Sequence, residues 1–291
     1  MKIQILASLI SVSFQVSAQQ DSSAIHKKDK LYFIAGTTAI YGLSVCAMNE
    51  LWYKNYERSS FHWIDDSREW LQMDKTGHFL SSYVATRFLT GGLRSAGVNH
   101  KNSVLWASGI SMLGISTIEV FDGFSSGWGA SASDLAFNVS GVALFAFQSL
   151  IWDKEKIIPK ISWRSTSYAA FRPEVLGNTF PGRLLKDYNG HTLWFSFNIK
   201  SLSGIEILPS WLCFSMGYGA EGMISGYDDP VVLPYFNRYR QYYLSFDADL
   251  SKINTGNKTV NLLLRSLNFI KVPFPAFEFS SKGNQLLWLG F

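Results

Sequence analysis

The sequence predicts an α+β protein: an N-terminal four-helix membrane-associated bundle followed by an antiparallel β-rich domain. Three observations carry that expectation. Before about residue 160 the apolar stretches are long and of helical length; after it they are short and alternate with polar residues. Charged residues make up only 16% of the chain and aromatics 15%, with 10 Trp and 13 Tyr, whereas soluble domains carry about 25% charged residues. Amphipathic rings settle at the lipid headgroup level, so this balance points to a membrane.

The elements follow in order. Lys2, the apolar stretch 3–16 and Val16-Ser17-Ala18 before Gln19 read as a secretory leader over residues 1–18. A helical domain over 19–158 and a β-rich domain over 159–291 are expected to follow. In the helical domain, residues 31–48, 104–120 and 134–152 are weakly polar stretches at the lower edge of the ~20 residues that cross a bilayer. Residues 68–93 form a further helix, with Asp65-Asp66-Ser67 as a cap cluster at its start. Ser131 and Ser133 are candidate caps for the helix beginning near Asp134. A buried helix bundle without membrane contact remains the alternative reading of these stretches.

In the second part, Leu193, Phe195, Phe197 and Ile199 share one strand face, as do Leu212, Phe214, Met216 and Tyr218. Tyr242, Leu244, Phe246, Ala248 and Leu250 alternate with Tyr243, Ser245, Asp247 and Asp249. Period-two alternation predicts a sheet with one apolar and one polar face. Residues 258–270 read as a helix ended by Pro273 and Pro275, and 277–279 and 286–291 as short strands. The close on Leu286-Leu287-Trp288-Leu289-Gly290-Phe291 resembles the last strand of outer-membrane barrels; the alternative is a small sheet packed on the helices. The net charge of +4 comes without a dense basic run, which argues against nucleic acid. Cys46 and Cys213 are too few and too distant for a disulfide framework.

Polar residues inside the helical half fall at regular spacings. Asp74 and His78 are one turn apart, Glu119 and Asp122 close the third helix, and Asp134 and Asn138 open the fourth. Ionised groups in apolar surroundings must be paired, hydrogen-bonded, protonated or metal-bound. Asp74 orienting His78, with Glu119 and Asp134 beside them, forms a hypothetical catalytic cluster. Asp122, Asn138 and Lys75 are candidate ligand-binding residues, with Lys75, like Arg87, read as a snorkelling or solvated side chain rather than a catalytic one. The spacing matches no metal motif with defined mechanics, so no metal ligand set is assigned, and no cofactor is implied. A purely structural interhelical hydrogen-bond network is the competing account. The Gly- and Ser-rich loop over 121–129 is a place where a substrate could enter.

Asp74-Lys75-Thr76-Gly77-His78-Phe79, Glu119-Val120-Phe121-Asp122-Gly123 and Ser133-Asp134-Leu135-Ala136-Phe137-Asn138-Val139-Ser140-Gly141, taken in order, resemble the YfiM-like family of predicted periplasmic lipoproteins of unknown function. The same order over residues 65–150 is similar to VanZ-like membrane proteins. Leu185-Lys186-Asp187-Tyr188-Asn189-Gly190 resembles longer members of the first family. The chain departs from the lipoprotein pattern in having no lipobox cysteine near the leader, and from VanZ-like proteins in its strand-rich second half. The resemblance implies an envelope location and these polar positions, and no established reaction.

Together these readings lead to an exported protein in the envelope of a Gram-negative-type bacterium, in the outer membrane or at the periplasmic face of a membrane. Its expected role is to bind or organise a lipid or glycan component. The rival is a hydrolase or transferase acting on a lipid-linked or glycan substrate; a third reading is a small barrel channel or a barrel-assembly partner.

Overall fold

The computed structural model describes residues 27–49, 53, 56–228, 231 and 234–290. The leader expected over 1–18 and the terminal Phe291 lie outside them. Among the described residues, a helical region is followed by a six-stranded antiparallel sheet. Two compact units result: residues 27–67 with 77–154, and residues 68–76 with 155–290.

The helical unit holds α1 (Lys27–Met48), most of α2 (Met73–Ser95), α3 (His100–Gly123) and α4 (Ala132–Ile151). A two-stranded parallel pair, β1 (Trp63–Ile64) and β2 (Ala130–Ser131), runs beside them. Asn99 caps α3 by accepting from the Asn102 amide at 2.9 Å, and Ser131 caps α4 by accepting from the Asp134 amide at 3.1 Å. Both α3 and α4 are long and apolar enough to cross a membrane by length and composition.

Their exposed sides carry Leu105, Trp106, Leu113, Val120, Phe137, Val139 and Phe147, while Ser103, Ser111, Asn138 and Gln148 are buried with Ser82 and Thr86 of α2. Val104, Ile115, Ile118, Val142 and Phe145 are buried alongside these polar groups, so the exposed large apolar residues are the feature that departs from what water favours.

The expected start of the second helix shifts. Residues 70–72 take left-handed backbone, with φ of 49°, 49° and 67° at Trp70, Leu71 and Gln72, and α2 begins at Met73. Each such residue costs about 1–2 kcal/mol, so tertiary contacts must hold the turn. The Trp70 amide donates to the Gly226 carbonyl at 2.7 Å, Arg240 donates to Gln72 at 2.8 Å, and the Tyr218 hydroxyl donates to the Leu71 carbonyl.

The sheet unit is a meander in sequence order: β3 (Ile157–Trp163), β4 (His191–Asn198), β5 (Leu212–Glu221), β6 (Tyr239–Ala248), β7 (Phe274–Ser280) and β8 (Gly283–Gly290). A helix, α5 (Lys258–Ser266), lies between β6 and β7. Strand β3 was not anticipated. Pro159 weakens a strand signal, and an edge strand is where a sheet tolerates proline.

Residues 269–271 return to the free edge of β3: the Ile161 amide donates to the Phe269 carbonyl at 2.8 Å and the Lys271 amide to the Ile161 carbonyl at 2.9 Å. The sheet therefore curls.

Register sorts its residues into faces. One row joins Pro159, Phe195, Met216, Leu244, Phe277 and Leu286 across all six strands. The neighbouring row on the opposite face joins Lys160, Trp194, Gly217, Tyr243, Glu278 and Gln285. The two-faced pattern expected from the sequence is present, with the polar face turned inward. Lys160, Ser196, Ser215 and Asp247 are fully buried, whereas Phe214, Met216, Tyr242, Phe246, Phe277, Phe279 and Leu286 are exposed.

The inward groups are matched to one another. The Asp247 carboxylate pairs with the Lys160 ammonium at 2.9 Å and accepts from Ser196 Oγ at 2.5 Å, from the Ala248 amide at 2.8 Å and from the Val272 amide at 3.0 Å. Lys271 donates to the Phe246 and Val272 carbonyls, each at 2.7 Å, and lies 4.9 Å from the Trp194 ring centroid. Burial pushes the Lys271 ammonium down to about 8 and the Cys213 thiol up to about 12, so Cys213 stays a poorly reactive thiol near neutral pH.

Breaking a buried pair on one side leaves an uncompensated charge, which costs about 3–5 kcal/mol. Asp247→Leu is expected to destabilise the sheet unit by that amount in denaturant unfolding, and adding Lys160→Met is expected to restore most of the loss. Equal stability of the single and double variants would show that the pair does not organise the interior.

Candidate functional site

His78 on α2 is the centre of a polar cluster in the helical unit. It is 1% exposed, and two other helices supply its surroundings. Its Nδ1 lies 3.0 Å from Asn138 Oδ1 on α4 and 3.9 Å from Glu119 Oε1 on α3. Its Nε2 lies 3.4 Å from Asp134 Oδ2 on α4. Glu119, Asp134 and Asn138 are all buried. Asp134 stands in the first turn of α4, where the helix dipole favours a negative charge.

Close helix packing makes this meeting possible. A Cβ on Gly141 of α4 would sit 2.2 Å from the Phe79 carbonyl oxygen and 2.1 Å from Ser82 Oγ on α2. Gly141 therefore lets α4 approach α2 at the turn next to His78 and Asn138, where any larger residue would push the helices apart.

The parallel pair of β1 with β2 sets Ile64 opposite Ser131 and brings a second layer to the cluster. The Ser131 amide donates to Glu119 Oε2 at 3.0 Å. Ser131 Oγ donates to Asp66 Oδ1 at 2.5 Å, and Ser133 Oγ donates to the same oxygen at 2.9 Å. Asp66, expected to cap α2, thus anchors the entry to α4 instead.

The structure places the other expected site residues as follows. Asp122, one turn beyond Glu119, accepts from the Tyr53 hydroxyl at 2.6 Å. Asp74 opens the same helix as His78, one turn earlier. It accepts from the Tyr188 hydroxyl at 2.9 Å and pairs with the Lys75 ammonium at 3.3 Å. Lys75 is 1% exposed, which corrects its reading as a snorkelling or solvated side chain: the carboxylate beside it lowers the cost of burying the ammonium.

Sequence reasoning did not assign Asp66, Ser131 and Ser133 to the site, because such residues before a helix read first as caps. It also missed Tyr53 and Tyr188, whose hydroxyls reach carboxylates far away in sequence.

The arrangement has a chemical consequence. With Nδ1 donating to Asn138 Oδ1, a neutral His78 presents its Nε2 lone pair towards the Asp134 carboxylate. A proton on Nε2 turns that opposition into a charge-assisted contact. The imidazole is thus placed to hold or exchange a proton. Asn138 contributes a second feature: its Nδ2 is buried and has no hydrogen-bond partner among the described residues.

Residues 62–149 match the model of the family described as "Predicted periplasmic lipoprotein (DUF2279)". The matched segment contains Asp66, Asp74, His78, Glu119, Asp122, Asp134 and Asn138. No curated protein and no solved structure matches the chain. The family match supports an exported protein of the cell envelope.

Gly141→Ala is expected to destabilise the helical unit by about 2–4 kcal/mol or to abolish folded yield, because a backbone carbonyl blocks the new methyl group. Gly109→Ala on α3 meets nothing within 4 Å and is expected to be neutral or slightly stabilising, since alanine favours helix. Equal melting temperatures for the two variants would contradict the close approach of α2 and α4.

Proposed function

We propose that this chain binds a lipid or glycan component of the cell envelope through the His78 cluster, with the helical region inserted in the membrane as a four-helix bundle. On this reading, residues 19–158 form the binding domain and 159–291 a β-rich partner domain, at the outer membrane or the periplasmic face of a membrane. Nucleic acid has no part in it.

The observation that carries the proposal is the orphan Asn138 Nδ2. A buried donor left unmatched costs about 1–3 kcal/mol, and an oxygen of a bound headgroup or sugar would satisfy it. Two further features support the reading. The exposed sides of α3 and α4 are apolar, which suits a lipid environment, and polar residues inside such helices are by default candidates for function.

Asn138→Asp preserves the acceptor for His78 Nδ1 and replaces the unmatched donor with an oxygen. Protein purified in mild detergent is expected to carry a lipid or glycan visible by mass spectrometry. The variant is expected to retain about tenfold less, corresponding to one hydrogen bond and one repulsion exchanged. Wild-type protein that carries no such component, or a variant that retains it fully, would sink the binding reading.

The contact of Asp134 with His78 Nε2 at 3.4 Å favours a second reading: a hydrolase or transferase acting on a lipid-linked or glycan substrate. In it, His78 serves as acid and base, Asp134 and Glu119 stabilise its protonated form, and Asp74 helps to orient it. Replacing both His78 and Glu119 with Ala is expected to lower such activity by a factor of about 100 or more. Turnover that survives the double substitution would exclude this chemistry.

A further inference from the structure

The sheet unit carries a surface that the His78 site does not use. On β5 to β8 the outward face is a continuous apolar field. Phe214 pairs with Phe246 in one row, Met216, Leu244, Phe277 and Leu286 form the next, and Tyr218, Tyr242 and Phe279 form the third. Phe246 is 51% exposed, Leu286 55% and Trp288 79%. Isolated exposed apolar residues are ordinary, but contiguous rows of them mark a contact surface. Here the rows are the systematic outcome of register, since the intervening residues point inward to the Lys160–Asp247 pair and the serines around it.

Charge at one end of this field indicates what covers it. The strands β6 and β7 are joined at that end by residues 249–273. This connector contains Lys252, Lys258, Arg265 and Lys271, and its single acidic residue, Asp249, is buried. Lys271 is buried within the curl, whereas Lys252, Lys258 and Arg265 are exposed. Within and just beyond α5, Val260, Leu267 and Ile270 are exposed beside these cations, a combination suited to a membrane interface. Trp211 and Trp288, both exposed, stand near the same strand ends, where indole rings suit the headgroup layer. An apolar face ending in tryptophans and exposed cations is complementary to the acyl region and headgroups of an anionic bilayer.

We propose that the outward face of β5–β8 is a lipid-contacting surface, with the 250–273 connector lying at the headgroups of anionic lipid. The assignment concerns the sheet unit and stands independently of ligand binding at His78.

The test uses the full chain reconstituted in phosphatidylcholine vesicles containing phosphatidylglycerol. Cys46→Ser removes the exposed native thiol, while buried Cys213 is left in place. Phe246→Cys and Leu286→Cys, labelled with an environment-sensitive fluorophore, report the outward face. Lys258→Cys reports the connector.

Labels at 246 and 286 are expected to be quenched by lipids brominated on the acyl chain and shielded from aqueous iodide, with iodide quenching at least about fivefold weaker than at position 258. Equal iodide quenching at all three positions would overturn the proposal. So would shielding from iodide without quenching by brominated lipid, which would reveal a second copy or another protein on the face.

The charge complement has its own arm. Reversing Lys252, Lys258 and Arg265 to Glu is expected to weaken binding to the phosphatidylglycerol vesicles by roughly fivefold or more for each cation removed. Binding unchanged by the substitutions, or equal on vesicles of phosphatidylcholine alone, would refute the headgroup assignment.

Discussion

The buried pair of Lys160 with Asp247 sets the terms for the whole sheet unit. Taking either charge out of water alone would cost several kcal/mol. Each is kept only because the other is present, together with Ser196, the Ala248 and Val272 amides and the Ala248 carbonyl. Those partners come from β3, β4, β6 and the connector ahead of β7. Satisfying one carboxylate therefore fixes the curl of the sheet, the return of residues 269–271 to the β3 edge, and the direction in which every strand turns its side chains. Once the polar residues point inward, period-two geometry sends the alternate residues outward, and these are mostly aromatic and aliphatic, while Trp194 and Tyr243 remain inside with the polar groups.

The helical unit follows the same constraint with different elements. Serine, threonine, asparagine and glutamine share its interior with Leu80, Val84, Ile115, Val142 and Phe145, and His78 lies among carboxylates drawn from two other helices. Gly141 allows the backbones to approach closely, and the small parallel pair of β1 with β2 ties Asp66 and Ser131 to the same place. Nearly every group in the cluster has a partner; the Asn138 amide nitrogen stands out because it lacks one among the described residues.

How far the sequence discloses this depends on the kind of information each element needs. Helices α1, α3 and α4 show in their length and apolar content, and β4, β5 and β6 in their alternation, because both signals are local. Strand β3 does not show, since Pro159 interrupts it and its stability comes from pairing with β4. The start of α2 is also hidden: the left-handed turn at residues 70–72 exists only because Gly226, Tyr218 and Arg240 hold it. Alternation announces two faces and is silent about which is buried, since that choice is made by Asp247 and its distant partners. The spacings of Asp74 with His78, Glu119 with Asp122 and Asp134 with Asn138 are readable. Their pairings are not: Asp74 accepts from Tyr188, Asp122 accepts from Tyr53, and Asn138, Asp134 and Glu119 gather at His78.

The inward turn of the polar residues also bears on how the molecule can be made. In most proteins, folding itself conceals the sticky parts of the chain, so a completed molecule can drift safely to its destination. Here completion of the sheet displays Phe214, Met216, Phe246, Phe277 and Leu286 instead of hiding them. A copy that matured in open water would be most adhesive at the moment it was finished. Exposed apolar rows of this kind adhere to one another in water, so assembly of the sheet in the surroundings that cover the face would avoid that hazard.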